Sequence, residues 1–316
     1  MRELGFRSYG LAFEPPNPPA VERRQEQAEL LAEFIATHSG KLLLVTGAGL
    51  STESRLPDYR SPQGAYSLGH KPITYLDFTQ SLAKRQRYWL RSWAGFSGFL
   101  AATPNPGHEM VAAMERAGLT THTITQNVDR LHHRAGSERV LELHGNLFQV
   151  VCLQCRATVE REAFQEKLAA GNPLLQLGAA PAPGQVRPDG DVDLGQLDPS
   201  QLLCIPTCAC CGGLMKPNVV LFGESIPADV VQHSFALVEE ADAVLCLGTS
   251  LQVFSAFRLV RRATERSIPV AAVSIGPTRA DDVLSFKVED RCGEIMPLVM
   301  KYLSSQFLYQ QQFHQL

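Results

Sequence analysis

Short apolar runs alternate with segments of helical periodicity along most of this 316-residue chain. We predict buried strands at residues 41–46, 121–125, 140–143, 219–222, 243–247 and 270–275, and helices at 21–39, 108–117, 128–135, 228–240 and 254–266. Strands and helices in alternation are typical of βαβ units. The sequence therefore predicts an α/β fold with a doubly wound, Rossmann-like parallel sheet, whose ligands bind at the carboxyl ends of the strands.

The alternation breaks between Cys152 and Cys211, where a segment rich in Gly, Pro and Asp intervenes. This break predicts a small module inserted into the sheet domain. We assign residues 1–20 to an N-terminal lead, 21–150 and 216–305 to the sheet domain, 151–215 to the inserted module, and 306–316 to a C-terminal tail.

The inserted module carries two Cys-x-x-Cys pairs, formed by Cys152 with Cys155 and by Cys208 with Cys211. Four thiolates in two such pairs are typical of a closed, tetrahedral structural zinc site. Redox-active pairs or buried free thiols are the alternative, and Cys210 leaves a second pairing with Cys208 open.

Charge and hydropathy exclude two classes of partner. The chain has 29 Lys and Arg residues against 32 Asp and Glu residues, a net charge of −3, so we expect no nucleic-acid partner and no membrane attachment. The apolar runs are much shorter than the about 20 residues of a membrane span. The first ten residues contain two arginines but also Glu3, and resemble an organelle presequence only weakly.

A glycine turn, Gly47-x-Gly49, follows the first predicted strand. Glycines at such a turn allow backbone N–H groups to approach a pyrophosphate, which predicts a dinucleotide site. Thr52 stands where a third glycine is usual, and the acidic residue of an ordinary dehydrogenase is missing. The chain instead continues into a loop with Asp58, Tyr59 and Arg60, residue types that are often functional beside a phosphate turn.

Polar clusters follow other predicted strands, at residues 125–129, 142–145, 248–250 and 274–276. Because the carboxyl ends of parallel strands share one edge of a sheet, we expect these groups to converge. A histidine there, His144, is a candidate general base. Periodicity alone does not identify the reaction.

Taken in order, these motifs resemble those of the sirtuin family. They are Gly47-Ala48-Gly49-Leu50-Ser51, Pro57-Asp58-Tyr59-Arg60, Thr125-Gln126-Asn127-Val128-Asp129, Leu143-His144-Gly145, the two cysteine pairs, Phe222-Gly223-Glu224 and Gly248-Thr249-Ser250. The resemblance extends from about residue 28 to residue 300, and within the family it is greatest to the mitochondrial class II branch.

The resemblance implies an enzyme that consumes NAD. The acyl group of an acyl-lysine passes to ADP-ribose, nicotinamide is released, and His144, Asn127 and Asp129 are catalytic. The implied cofactor-binding residues are Gly47, Ala48, Gly49, Ser51, Thr52, Asp58, Tyr59, Arg60, Gln126, Asn127, Val128, Asp129, Gly248, Thr249, Ser250, Ser274, Ile275, Gly276 and Cys292. One structural zinc ion is implied at Cys152, Cys155, Cys208 and Cys211, and a substrate site at Gly223, Glu224, Val253 and Tyr66.

The chain departs from the family pattern at a few positions. Arg55 stands where a glycine is usual, and Ser274 where an asparagine is usual. The desuccinylase branch has an arginine three residues after this tyrosine, whereas here Gly69 stands three residues after Tyr66. This difference argues against succinyl-lysine recognition of that type. His70 and Lys71 are candidates to meet a substrate carboxylate instead, with two solvent-exposed bases as the alternative.

The leading hypothesis is an NAD-dependent protein-lysine deacylase acting on long or branched acyl groups, or on lipoyl- or biotinyl-lysine. A protein mono-ADP-ribosyltransferase and a non-catalytic module that binds NAD and zinc are the alternatives. The resemblance implies acyl-lysine proteins as partners, mitochondrial metabolic enzymes among them, and the mitochondrial matrix as location. The cytoplasm is the alternative location.

Overall fold

A computed structural model of the chain describes residues 21–175, 181, 186–192 and 203–313. The predicted N-terminal lead with its presequence-like start, much of the Gly- and Pro-rich segment between the cysteine pairs, and the end of the predicted tail lie outside the described residues.

A six-stranded parallel sheet forms the centre of the fold, as the alternation predicts. Its strand order is β3-β2-β1-β7-β8-β9. The strands are β1 (Leu42–Thr46), β2 (Thr120–Thr125), β3 (Val140–Glu142), β7 (Ala243–Leu247), β8 (Val270–Val273) and β9 (Phe286–Val288). Chain order reverses between β1 and β7, so the crevice at the carboxyl ends of these two strands is the expected ligand position.

Helices cover both faces of this sheet. The helices are α1 (Val21–Thr37), α2 (Ala48–Ser51), α3 (Tyr75–Gln80), α4 (Leu82–Ala101), α5 (Pro106–Arg116), α6 (Leu131–Arg134), α7 (Arg161–Gly171), α8 (Ala228–Glu239), α9 (Phe254–Glu265) and α10 (Cys292–Phe313). One buried apolar cluster joins α1, α5 and α10 to the sheet, and another joins α8 and α9 to it. Helix α10 continues past residue 305, where the sequence predicts the tail to begin.

A second, antiparallel sheet consists of β4 (Gly145–Cys152), β5 (Thr158–Glu160) and β6 (Met215–Val219) in the order β5-β4-β6. The strand predicted at 219–222 is therefore wrong in both position and sheet. The strand ends at Val219 and pairs antiparallel with β4, where Lys216 faces Val151. An apolar run indicates a buried strand but does not indicate its partner.

The helix predicted at 128–135 is shorter in the structure. A carboxylate oxygen of Asp129 accepts a hydrogen bond of 2.9 Å from the backbone N–H of Leu131, and Arg130 has a φ of 56°. These features start the helix only at Leu131. No helix in the described part of the chain is long and apolar enough to cross a membrane.

Candidate active site

Two glycine loops meet at the crevice between β1 and β7. A Cβ atom on Gly47 would lie 2.7 Å from Cβ of Thr249, and one on Gly49 would lie 2.7 Å from the carbonyl oxygen of Gly248. Gly248 itself has a φ of 59°. The glycines therefore do more than leave room for a phosphate group, because they also allow the loops after β1 and β7 to pack backbone against backbone.

Residues after β2 hydrogen-bond to the loop after β1. Nδ2 of Asn127 donates to the carbonyl oxygen of Gly47 at 3.0 Å and to Oγ of Ser51 at 3.1 Å. Oγ of Ser51 in turn donates to Oδ2 of Asp129 at 2.7 Å. All three polar side chains are buried, and burial raises the pKa of Asp129 above its ordinary value. The structure thus brings three sequence-predicted residues into one polar network.

A layer of buried histidines and threonines lies beneath this network. Thr46 donates to Oγ1 of Thr125 at 2.8 Å and lies 2.9 Å from Nε2 of His132. The ring of His132 packs edge to face on that of His108, with 5.1 Å between centroids. Burial lowers the pKa of His108 to about 3 and that of His132 well below its usual value, so both rings are neutral at pH 7.

His144 lies at the end of β3 with both ring nitrogens in contact. Nδ1 is 3.1 Å from the carbonyl oxygen of Gln126, and Nε2 is 2.8 Å from Oγ of Ser255 in the first turn of α9. The side chain of Gln126 donates to Oγ1 of Thr249 at 2.9 Å. Burial, with a smaller contribution from the charge of Arg258, lowers the pKa of His144 to about 4.

The loop with Asp58, Tyr59 and Arg60 folds on itself beside the crevice. Oδ1 of Asp58 accepts from the backbone N–H groups of Arg60 and Ser61, at 3.0 and 2.8 Å. The ring of Tyr59 packs on that of Tyr66 at 5.4 Å between centroids, and the Arg60 guanidinium lies over the Tyr66 ring. Tyr66, a predicted substrate residue, thus forms part of the same loop packing.

Arg55, which stands where the family usually has glycine, has a φ of 64°. This left-handed conformation is one that glycine adopts at little cost and that other residues rarely adopt. The structure therefore gives a backbone reason for the usual glycine.

Several predicted cofactor residues follow β7 and β8 or begin α10. Ser274 is buried, Ile275 is exposed and Gly276 has a φ of 77°. Burial raises the pKa of the Cys292 thiol to about 12, so this cysteine is a small, neutral packing group. Of the remaining predicted residues, Ala48 begins α2 and Thr52 directly follows this helix, while Val128 and Ser250 lie in the loops after β2 and β7.

The predicted substrate residues other than Tyr66 fall on two segments. Glu224 follows Gly223, whose φ is 80°, and its Oε2 atom accepts from Nζ of buried Lys216 at 3.0 Å and from the backbone N–H of Leu221 at 2.9 Å. Glu224 therefore stabilises its own loop. Val253 is half-buried and directly precedes α9.

The four paired cysteines come together at one end of the antiparallel sheet. Sγ of Cys152 is 3.5 Å from that of Cys211, Sγ of Cys155 is 3.6 Å from that of Cys208, and all four lie within 4.8 Å of one another. A tetrahedral zinc ion with bonds of about 2.3 Å holds its sulfur ligands about 3.8 Å apart. The cluster fits one structural zinc ion, and Cys210 is exposed outside it.

His70 meets carboxylates of its own chain. The buried side chain has Nε2 at 2.9 Å from Oδ2 of Asp189 and Nδ1 at 3.8 Å from Oδ2 of Asp191, while Lys71 is exposed. Arg91 of α4 pairs with the other oxygen of Asp191 at 2.5 Å. The hypothesis that His70 receives a substrate carboxylate is therefore not supported by its position.

Comparison with known proteins decides the family. A model described as "Sir2 family" matches residues 47–255, which include the glycine turns, the histidine and all four paired cysteines. The chain belongs to the Sir2 family. The sequence-based resemblance to the sirtuins is confirmed.

Relatives of this Sir2-family chain come from several kingdoms. It is 43% identical to the mitochondrial NAD-dependent protein lipoamidase sirtuin-4 of Bos taurus, over 94% of this chain and 92% of the relative. It is also 43% identical to an NAD-dependent protein deacetylase of Xanthomonas campestris, over 86% of this chain and 90% of the relative. A solved complex of Sir2 with a p53 peptide and NAD+ has a TM-score of 0.67 and 29% identity, covering 87% and 97% of the two chains.

Sequence reasoning missed several groups in the Sir2-family site. Ser255 contacts His144, and Asn105 donates from Nδ2 to the carbonyl oxygen of Leu50 at 2.7 Å. Asn105 precedes a proline at the start of α5, a helix-start signal that was available in the sequence. Ser255 carried no comparable signal.

Proposed function

We propose that this protein is an NAD-dependent protein-lysine deacylase that transfers the acyl group to ADP-ribose and releases nicotinamide. The observation that carries the proposal is the position of His144 at the same sheet edge as the Asn127–Ser51–Asp129 network. A pure binding site needs no neutral imidazole beside its ligand, and the half-buried His144 ring is neutral. The names of the relatives, which act as deacylases, lipoamidases or deacetylases, support the same reaction.

The glycine loops and their neighbours fit a dinucleotide. The close approach of Gly47, Gly49 and Gly248 leaves a backbone surface without side chains at the switch point of the sheet. We assign the diphosphate to these loops, the nicotinamide end to Asn127 and Asp129, and the adenosine end to the loop after β8. When bound, NAD supplies the ADP-ribose that accepts the acyl group.

Each residue around the cofactor has a separate role in the proposed reaction. His144 is neutral above about pH 4 and is therefore available as a base for a ribose hydroxyl at neutral pH. Asn127 orients polar groups of the ribose, and the packed ring of Tyr59 excludes water from the reacting centre. Zinc at the cysteine cluster stabilises the antiparallel sheet and takes no part in the chemistry.

We further propose a substrate class and a location. The acyl-lysine of a protein enters beside Gly223, Glu224 and Val253, and the preferred acyl groups are long, branched, lipoyl or biotinyl. The mitochondrial sirtuin-4 relatives support acyl-lysine proteins of mitochondria as substrates and the mitochondrial matrix as location.

The test is mass spectrometry of purified protein with NAD and peptides carrying acetyl-, lipoyl-, biotinyl-, glutaryl- or methylglutaryl-lysine. We expect at least one peptide to yield free lysine together with the matching O-acyl-ADP-ribose. Release of nicotinamide with ADP-ribose appearing on an added protein, and no deacylation, would instead support the ADP-ribosyltransferase alternative.

A further inference from the structure

The ring of His144 is held between two different kinds of hydrogen-bond partner. Nδ1 faces the backbone carbonyl oxygen of Gln126 at 3.1 Å, and Nε2 faces Oγ of Ser255 at 2.8 Å. A carbonyl oxygen only accepts hydrogen bonds, so Nδ1 carries the proton of the neutral ring. Nε2 is then unprotonated, and its lone pair accepts a hydrogen bond from the Ser255 hydroxyl.

We propose that Ser255 is a positioning residue for His144, which fixes the Nδ1-protonated tautomer and the direction of the Nε2 lone pair. This inference rests on the proposed role of His144 as the base of a deacylase. A hydroxyl suits the position because it both donates and accepts. A substrate hydroxyl reaches the Nε2 lone pair when the Ser255 hydroxyl rotates and stops donating to it. Once Nε2 has taken the substrate proton, Oγ of Ser255 accepts from Nε2–H and the ring keeps its orientation.

The turn that precedes Ser255 is fixed by hydrogen bonds on the Gln126 side of the imidazole. Gln126 accepts from His144 through its backbone and donates through its side chain to Oγ1 of Thr249. The same Thr249 oxygen accepts from the backbone N–H of Leu251 at 3.1 Å, which fixes the turn that leads into α9. His144, Gln126 and the start of α9 therefore form one closed frame around the imidazole.

The frame also links the base to the proposed substrate site. Val253, assigned to the acyl-lysine groove, lies two residues before Ser255, and its carbonyl oxygen accepts from the backbone N–H of Phe257 at 3.1 Å. A substrate that contacts Val253 thus contacts the same helical turn that orients Nε2.

The test compares Ser255→Ala, which removes the hydroxyl, with Ser255→Thr, which keeps it. Thr264→Ala is the matched control, because it removes an exposed hydroxyl from the last turn of the same helix. We expect Ser255→Ala to lower kcat about 3- to 10-fold, the effect of one lost hydrogen bond, while KM for NAD changes less than about 2-fold. Ser255→Thr and Thr264→Ala should keep at least about half of kcat.

A kcat for Ser255→Ala equal to or above that of the unchanged protein would overturn the proposal, because the hydroxyl would then only block Nε2. Equal losses in Ser255→Ala and Ser255→Thr would also overturn it, since the effect would come from packing.

Nitrogen-15 NMR of the His144 ring decides the same question without turnover. We expect the unchanged protein at pH 7 to have the Nδ1-protonated tautomer, and Ser255→Ala to move the Nε2 resonance toward that of a nitrogen without a hydrogen-bond donor. An Nε2-protonated ring in the unchanged protein, or an unmoved resonance in the variant, would overturn the proposal. A protein that turns over no acyl peptide yet passes this NMR test would refute the deacylase function but not the role of Ser255.

Discussion

The backbone N–H of Gly49 donates a hydrogen bond of 2.8 Å to the carbonyl oxygen of Gly248, joining the loops that follow β1 and β7. These loops flank the point where the strand order of the sheet reverses. The contact depends on both glycines, because a Cβ atom on Gly248 would lie 2.2 Å from the backbone nitrogen of Leu50. The geometry of the proposed diphosphate site is therefore set by a contact between two backbones.

Gly248→Ala should separate these loops and destroy the dinucleotide site. Gly118→Ala is the matched control, because Gly118 also has a positive φ of 69° but has open space at its Cβ position. Gly118→Ala should cost only the left-handed strain of about 1–2 kcal/mol and leave NAD affinity unchanged. We expect Gly248→Ala to cost more in the free energy of unfolding and to abolish NAD binding in calorimetry. Equal effects of the two variants would contradict this account.

His144→Ala should remain folded and lose acyl-lysine turnover by a factor of about 10² or more, the usual contribution of a general base. His133→Ala is the control, because His133 is an exposed histidine outside the site.

Since burial lowers the pKa of His144 to about 4, its base form persists well below neutrality. We expect kcat/KM of the unchanged protein to stay constant down to about pH 5, which is well below the pKa of about 6.5 of an ordinary histidine. A decline centred near pH 6.5 would mean that His144 titrates as an exposed histidine.

The buried His108 should make the fold sensitive to acid. Its pKa is lowered to about 3 in the folded protein against 6.5 in the unfolded chain, so the unfolded state binds the extra proton between these values. Stability is unaffected by this group above pH 6.5 and falls as the pH drops below it, by up to about 1.4 kcal/mol per pH unit.

Urea unfolding from pH 7 to pH 5 tests this point. We expect His108→Gln to have a shallower dependence of unfolding free energy on pH than the unchanged protein. The control His233→Gln, which changes an exposed histidine, should follow the unchanged protein. If the unfolding free energies of all three proteins changed equally with pH, the burial of His108 would not be what opposes its protonation.

Five strands of the parallel sheet could be predicted, because β1, β2, β3, β7 and β8 are short runs of apolar or β-branched residues that end in glycine or polar residues. The edge strand β9 was missed, since it has only three residues and Lys287 at its centre. Helix α4 was missed because it contains Gly95 and Gly98, which lower helical propensity. Both glycines admit another segment, since a Cβ atom on either would lie 2.2 Å from residues of 186–192. The need for glycine at these positions comes from contact with a segment about 90 residues away in the sequence, so it leaves no periodic pattern within α4.

The candidate site, like the fold, contains residues that the sequence predicts and residues that it does not. Gly47, Asn127 and His144 lie in motifs that follow strands, so their convergence follows from the topology. The contact between His144 and Ser255 joins residues 111 positions apart and depends on where α9 begins. Strand-end reasoning therefore finds the base but not the residue that orients it.

Arg55→Gly should stabilise the protein, because Arg55 is exposed and has a left-handed φ of 64°. The gain from relieving about 1–2 kcal/mol of strain is reduced by the greater entropy of glycine in the unfolded chain, leaving about 0.5–1 kcal/mol. Arg55→Ala is the control, since it removes the same side-chain charge but keeps the strain. Denaturant unfolding should rank Gly above both Arg and Ala, and a similar gain from Ala would point to charge as the cause.

Removal of one zinc ligand should unfold the antiparallel sheet, whereas removal of the neighbouring cysteine should not. Cys208→Ser takes away one of four sulfurs that lie within 4.8 Å of one another, and Cys210→Ser changes an exposed cysteine outside that cluster. We expect the purified protein and Cys210→Ser to contain about one zinc ion per chain by elemental analysis, and Cys208→Ser to lose zinc and aggregate. A chelator should lower the melting temperature of the first two proteins alike, because the binding free energy of a structural metal is part of the folding free energy. Soluble, active Cys208→Ser without zinc would mean that the packing of β4 and β6 alone holds this sheet together.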